Sequence, residues 1–328
     1  MAKAQWGNSK RDRTALDRTA EALAGVLGVD AVRRDRGVGA ETTYRVGGAV
    51  RVGVSLPADV DFTALAEALS ATENQHILVV GKGSNLLVAD AGFEGVGIWL
   101  ARSFDWLEIS GVSLCVGGAA SLAVVARKSA AAGLSGFEWA VGVPGSVGGA
   151  VRMNAGGHGS DMAASVVAVQ VADLRSGIVE RWDTQRLRFG YRSSGLAPHH
   201  LVLSAELLLE DGNVASAQAQ IAEIVSWRRN NQPGGQNAGS VFTNPTGHSA
   251  GHLIEAAGLK GLRHGSCEVS QKHANFFVVD HNGSADDVFA LMCEVFQAVK
   301  LKFAVDLIPE TKLVGFAPGP WDDPGSWN

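Results

Sequence analysis

The chain is short of charge, short of cysteine and without a long apolar run, and each shortage removes a class of function. Charged residues make up 19% of the 328 residues and the formal net charge is −5. No nucleic-acid surface follows from that balance, although local arginine pairs could still hold a phosphate or diphosphate. No apolar stretch approaches the ~20 residues that cross a bilayer, so no membrane association is expected. Lys3, Lys10, Arg11 and Arg13 are followed by neither an apolar segment nor a small-residue cleavage site. A secretory signal is therefore not expected, and the chain reads as soluble and cytoplasmic. The three cysteines, Cys115, Cys267 and Cys293, lie far apart and outside any CxxC or Cys/His cluster. Such a set suits reduced thiols, and no metal site is read from it. Cys115 and Cys293, each within apolar neighbours, read as core filler.

Hydrophobic residues are 46% of the chain, enough for two or three packed units. The 41 glycines are the compositional oddity, clustering at GKGSN, VGVPGSVGGA and NAGGHGS. Glycine gathered in loops lets backbone approach a phosphate or a flat ring.

Residues 1–12 read as a loose polar arm, followed by a helix with Leu16, Ala20, Leu23 and Leu27 on one face. Alternation of Val50, Val52, Val54 and Leu56 predicts a strand over residues 49–56, and Asp61 reads as the cap of a helix carrying Phe62, Leu65 and Leu69. Short strands are predicted at residues 77–80, 86–89, 96–116, 166–174, 178–182 and 201–209, with a helix at 121–132 stopped by Gly133. A helix over 214–230, a turn-rich strand over 237–244, a short helix over 250–257 and a strand over 275–280 follow. Ser284 with Asp287 resembles a capping box for a helix to about Lys302. The tail PGPWDDPGSWN has a disordered composition.

Two segments stand out chemically. In VVGKGSNLLV a buried strand enters a Gly-x-Gly turn whose amides could cradle a diphosphate, with Ser84 and Asn85 adding side-chain donors. The third glycine of a dinucleotide fingerprint is missing and no helix pattern follows, so a tight hairpin turn is the competing reading. The segment over residues 133–157, GLSGFEWAVGVPGSVGGAVRMNAGG, places many glycines beside apolar residues and suits contact with an aromatic ring system. Further blocks are FGYRSS, WRRNNQP, NAGSVFTNP, AGHLIEAAGLKG, VSQKHANF and IPETK.

In this order these blocks closely resemble the UDP-N-acetylenolpyruvoylglucosamine reductase (MurB) family over roughly residues 40–315. The resemblance implies an α+β protein: an FAD-binding fold of the vanillyl-alcohol-oxidase/PCMH type plus a smaller α/β substrate domain. The division it suggests is an N-terminal α/β part over 1–75, the FAD-binding domain over 76–211, a substrate-binding domain over 212–304, and a returning strand with tail over 305–328. It implies non-covalent FAD held by Gly81, Lys82, Gly83, Ser84, Asn85 and Leu86, and by Gly142, Pro144, Gly145, Ser146, Gly148, Gly149, Arg152, Asn154 and Ala155. Arg192 matches the arginine of a Y-R-x-S motif, Ser240 the serine of N-x-G-S, and Glu310 a late catalytic glutamate. The family also has a form with an extra tyrosine loop between arginine and serine; the short interval from 192 to 240 marks this chain as the form without it. Three positions depart from the common pattern: Lys82 where glycine or glutamate is usual, His158 where an aromatic is usual, and IPETK for EPEVR.

The activity so implied is reduction of an enolpyruvyl ether on a UDP-sugar, with hydride relayed from NADPH through FAD. The resemblance alone suggests NADPH over NADH. Hydride addition to the methylene carbon leaves an enolate, which needs a cation and a proton. Arg192 suits the carboxylate and its enolate, and Ser240 would supply the proton to a strongly basic carbon. Glu310 would have to act protonated, because an ionised carboxylate beside an enolate raises the barrier. Tyr191, Arg228, Arg229, Gln232, Asn237 and Asn244 are candidate contacts for the UDP-sugar, although Arg228 and Arg229 also suit a helix C-terminus. His273 reads as a structural histidine. A monomer is expected. The competing readings are an FAD-linked oxidase, disfavoured by the lack of a tethering His or Cys in the glycine loops, and a non-catalytic nucleotide sensor.

Overall fold

A computed structural model describes residues 10–71 and 76–322. Two sheets and their helices dominate the first two thirds. The strand Ala49–Leu56 lies inside a four-stranded sheet, antiparallel to Val32–Gly37 and parallel to Phe93–Leu100, which in turn pairs in parallel with Ile77–Val79. Its Val50, Val52, Val54 and Leu56 are wholly buried. The helices Lys10–Leu27 and Phe62–Ser70 bring Leu16, Leu23, Leu65 and Leu69 to the same core. Asp61 caps the second helix by accepting from the amides of Thr63 and Ala64, as its place before an apolar run predicts.

A five-stranded antiparallel sheet follows, in the spatial order Val179–Asp183, Val166–Asp173, His200–Leu208, Ser113–Gly117, Leu107–Ser110. One face packs against the helices Leu122–Ala131, Val147–Met153 and Val214–Asn231. The last of these, grouped with the substrate unit on sequence grounds, buries Ala217, Ile221 and Ile224 in this core. Beyond it the helices Ala250–Ala256 and Ala285–Phe303 enclose a core with the strands Arg263–His264, Cys267–Val269 and Phe277–Val279. Finally Lys312–Val314 returns to pair in parallel with Leu86–Val88, which joins the end of the chain to the first glycine loop.

Several expectations change. The N-terminal helix begins at Lys10, inside the expected arm; residues 1–9 lie outside the described residues. The glycine loop GKGSN is not a hairpin, because its flanking strands pair with Phe93–Leu100 and Lys312–Val314 rather than with each other. The second glycine segment contains a helix, Val147–Met153, capped by Ser146 and ended by Asn154 at φ 40°; its glycines hid the helical period. Residues 237–244 form no continuous strand, only isolated pairings of Ser240 with Phe276 and Phe242 with Pro309. Cys115 is exposed, since strand alternation turns Leu114 and Val116 inward and the cysteine outward. Ser284 accepts from the Asp287 amide, but the Asp287 carboxylate accepts from the Ser266 amide and hydroxyl, so the capping box is one-sided. In the tail, the Trp321 ring meets Phe242, Phe289 and Phe296 edge-on. Residues 323–328 lie outside the described residues.

Candidate active site

Arg192 is carried by a four-residue turn in which Gly190 and Ser193 exchange backbone hydrogen bonds. The turn forces Arg192 to φ 52°, a left-handed conformation that costs a non-glycine residue about 1–2 kcal/mol. Its Nε donates to Glu310 Oε1 at 2.7 Å and its Nη2 to the Gly156 carbonyl at 3.0 Å. The Glu310 backbone is held from two sides: its amide donates to the Val241 carbonyl, and its carbonyl accepts from Asn85 Nδ2. Burial pushes the Glu310 carboxyl above the usual glutamate range; Arg192 opposes this without cancelling it.

Ser240 stands one residue before Val241, so the contact that fixes Glu310 also fixes the serine's neighbour. Asn275, 3% exposed, completes the brace. Its Oδ1 accepts from the Phe242 amide, its Nδ2 donates to the Phe242 carbonyl, and its own carbonyl accepts from the Val241 amide. Arg192, Ser240 and Glu310 all line one cavity of about 1570 Å³. That exceeds the ~300–1,000 Å³ of an ordinary small-molecule site, and leaves room for two large ligands.

The two glycine segments meet along this cavity. A Cβ on Gly81 would stand 2.5 Å from Ser146 Oγ, and one on Gly83 2.8 Å from both the Glu41 carbonyl and Thr42 Cα. Gly83 also sits at φ 62°, so glycine is required there. None of the amides of residues 81–85 donates to a backbone carbonyl among the described residues. That run of free donors at a tight turn is what a diphosphate requires. Six cationic side chains line the cavity (Arg45, Lys82, Arg152, Arg192, Arg228 and Lys312) against the two carboxylates Glu41 and Glu310. Glu41 is itself paired with Arg36. The donor set and the charge suit phosphate-bearing ligands, and the close backbone approach suits a flat ring.

Of the sequence-named flavin residues, Gly81, Lys82, Gly83, Ser84, Asn85, Leu86, Gly142, Pro144, Gly145, Ser146, Gly148, Gly149, Arg152 and Ala155 line the cavity. Asn154 does not: buried, it donates to Asp161 and the Gly190 carbonyl and accepts from the Ala163 amide. Arg228, Gln232 and Asn237 line the cavity, with Arg228 Nε donating to Gln232 Oε1 at 2.7 Å. Tyr191, Arg229 and Asn244 are outside its lining. Tyr191 is 61% exposed beside Arg192. Lys272 donates to the Arg229 carbonyl, and Asn244 accepts from the Ala250 amide to support a helix start. His273 is structural, its Nδ1 accepting from the Asn275 amide.

Sequence reading gave no role to Lys312, Trp227 or Asn275. Lys312 lines the cavity two residues after Glu310, and burial followed by Arg152 lowers its pKa. Trp227 meets His158 edge-on at the cavity wall. All three belong to quoted blocks, but nothing local distinguishes their side chains from solvent-facing ones. Asp173, His199 and His200 form a compact cluster. His200 Nδ1 accepts from the Ala197 amide, so a neutral imidazole carries its proton on Nε2, and the atom facing the cluster has no lone pair for a metal.

Comparison with known proteins agrees with this architecture. Residues 53–182 match the family profile described as "FAD binding domain", and residues 231–314 that described as "UDP-N-acetylenolpyruvoylglucosamine reductase, C-terminal domain". The chain is 38% identical over 279 residues to the UDP-N-acetylenolpyruvoylglucosamine reductase of Bacillus subtilis, covering 84% of this chain and 91% of that one. It is 40% identical over 276 residues to that of Paramagnetospirillum magneticum, covering 84% and 89%. The crystal structure of the reductase from Thermus caldophilus superposes with a TM-score of 0.73 at 34% identity, covering 86% of this chain and 99% of that one.

Proposed function

The chain belongs to the UDP-N-acetylenolpyruvoylglucosamine reductase family, and from that premise we propose that it reduces UDP-N-acetylglucosamine enolpyruvate to UDP-N-acetylmuramate with NADPH as reductant. It is an oxidoreductase of peptidoglycan precursor synthesis with an FAD-binding domain. Bound FAD would take hydride from the nicotinamide and pass it to the substrate.

The chain's own residues would do the rest. The free amides of residues 81–85 and the segment around Ser146 would hold the cofactor without a covalent tether. Arg228, Gln232 and Asn237 would meet the UDP-sugar. Arg192 would bind the enolpyruvyl carboxylate and the charge that grows on it, its planar fork matching the two oxygens. Ser240 would protonate the carbon that does not receive hydride. Glu310, whose carboxyl burial pushes above the usual glutamate range, would in its protonated form share or relay a proton on the enol instead of repelling it. We propose a monomer working in the cytoplasm; no helix among the described residues is long and apolar enough to cross a membrane.

The observation that carries this reading is the 2.7 Å contact between Arg192 and Glu310 in the cavity shared by Ser240 and both glycine segments. An anaerobic stopped-flow experiment tests it. NADPH should bleach the flavin, UDP-N-acetylglucosamine enolpyruvate should restore its colour rapidly, and oxygen should restore it slowly. Rapid return with oxygen and none with the enolpyruvyl substrate would identify an oxidase instead.

A further inference from the structure

We propose that Arg152 balances the negative charge a bound flavin gains on reduction, and so sets the potential at which the cofactor accepts hydride; this rests on the reductase reading above. Arg152 stands in the last turn of the helix Val147–Met153 and lines the cavity. Its Nη1 is buried with no hydrogen-bond partner, and among the described residues the guanidinium makes no ion pair. The charges that it affects are cationic or basic: Lys312, His199 and His200. The acid beyond them, Asp173, gives Oδ1 to the amides of Arg175 and Ser176 and turns Oδ2 to the two histidines. Burial accordingly lowers the pKa of Arg152. Arg152 as a whole is half-buried with Nη1 sealed from solvent, and a guanidinium drawn partly out of water without a counter-charge is costly to keep. A fold keeps one where a ligand brings the anion.

Position selects among the anions. The Arg152 carbonyl accepts from Ser194 Oγ, and Asn154, two residues on, donates to the Gly190 carbonyl. Both partners belong to the chain around the turn that presents Arg192. The other end of the same helix, Ser146, abuts Gly81, about 9 Å away at 1.5 Å rise per residue. The helix end that carries Arg152 therefore adjoins the reacting end of the cavity, with the diphosphate turn at the opposite end of the helix. A hydride adds two electrons and one proton to the ring, which leaves one net negative charge unless a second proton follows. A fixed cation in a low-dielectric cavity stabilises that charge far more than water would.

The test uses FAD-loaded wild-type protein, Arg152→Met, Arg152→Gln and Arg152→Lys, with the flavin midpoint potential measured by anaerobic dye equilibration and FAD affinity by fluorescence. Arg152→Met should weaken binding of reduced FAD at least tenfold relative to oxidised FAD, a fall of about 30 mV for a two-electron couple. Arg152→Lys, which keeps the charge, should fall by less than half as much, and Arg152→Gln, which removes the charge but stays polar, supplies the reading if the Met variant does not fold. An unchanged potential in the charge-removing variant overturns the proposal. It does so whether FAD affinity drops alone, which would mark a phosphate contact, or KM for the UDP-sugar rises alone, which would mark a substrate contact. The potential is read without the UDP-sugar, so failure of turnover with that substrate would sink the reductase reading and leave this measurement standing.

Discussion

Arg192 Nε donates to Glu310 Oε1 at 2.7 Å across 118 residues of sequence. The pair forms because a strained turn aims the arginine while Asn85 and Val241 fix the backbone of the glutamate. If Glu310 works as a neutral donor, Glu310→Gln should keep most of the activity. Glu310→Ala should lose on the order of 10²–10³-fold in kcat, the usual worth of one hydrogen-bond donor aimed at developing charge. Steady-state kinetics on both variants checks this, and equal losses would contradict the role.

The direction of the Glu310 shift gives a pH dependence. Burial raises its pKa, so the neutral acid persists above the ordinary glutamate range and is lost as pH rises through the raised value. Reoxidation of reduced enzyme by the enolpyruvyl substrate should therefore slow on the alkaline side of that pKa. The same limb should vanish in Glu310→Gln, which cannot ionise. A limb that survives the substitution belongs to another group.

Asn275 is the brace of the Ser240 segment. Asn275→Ala leaves the buried Phe242 amide and carbonyl without their partners, at about 1–3 kcal/mol for each unsatisfied group. We expect a lower Tm together with a kcat loss larger than any change in KM. A variant with wild-type Tm and kcat would show that the segment holds itself.

Gly83→Ala tests the proposed diphosphate turn. The new methyl would meet the Glu41 carbonyl and Thr42 Cα at 2.8 Å, in a backbone conformation at φ 62° that alanine resists. FAD affinity should fall at least tenfold by fluorescence titration of the apoprotein. Unchanged affinity would remove this turn from the cofactor site.

What the sequence made legible was whatever depends on period or on a local cap. The strand at Ala49–Leu56 announces itself by alternation, and Asp61 by its place before an apolar run. The helix Val147–Met153 stayed hidden because Gly148 and Gly149 carry no side chain to show a period. The Ser240 segment read as a strand because its ladder is replaced by one side chain, Asn275, from another block. Asn154 and Asn244 looked like ligand donors, yet both satisfy backbone groups of their own chain. An asparagine looks the same in sequence whichever partner it takes. The resemblance of the blocks brought Arg192, Ser240 and Glu310 together; periodicity and composition could not, since 118 residues separate the two that touch.

Ser240→Ala, followed through the two half-reactions separately, tests the central claim most directly. With the proposed proton donor removed, NADPH should bleach the flavin at the wild-type rate, while recolouring by UDP-N-acetylglucosamine enolpyruvate should slow on the order of 10²–10⁴-fold. Equal slowing of both phases, or recolouring at the wild-type rate, would contradict the account.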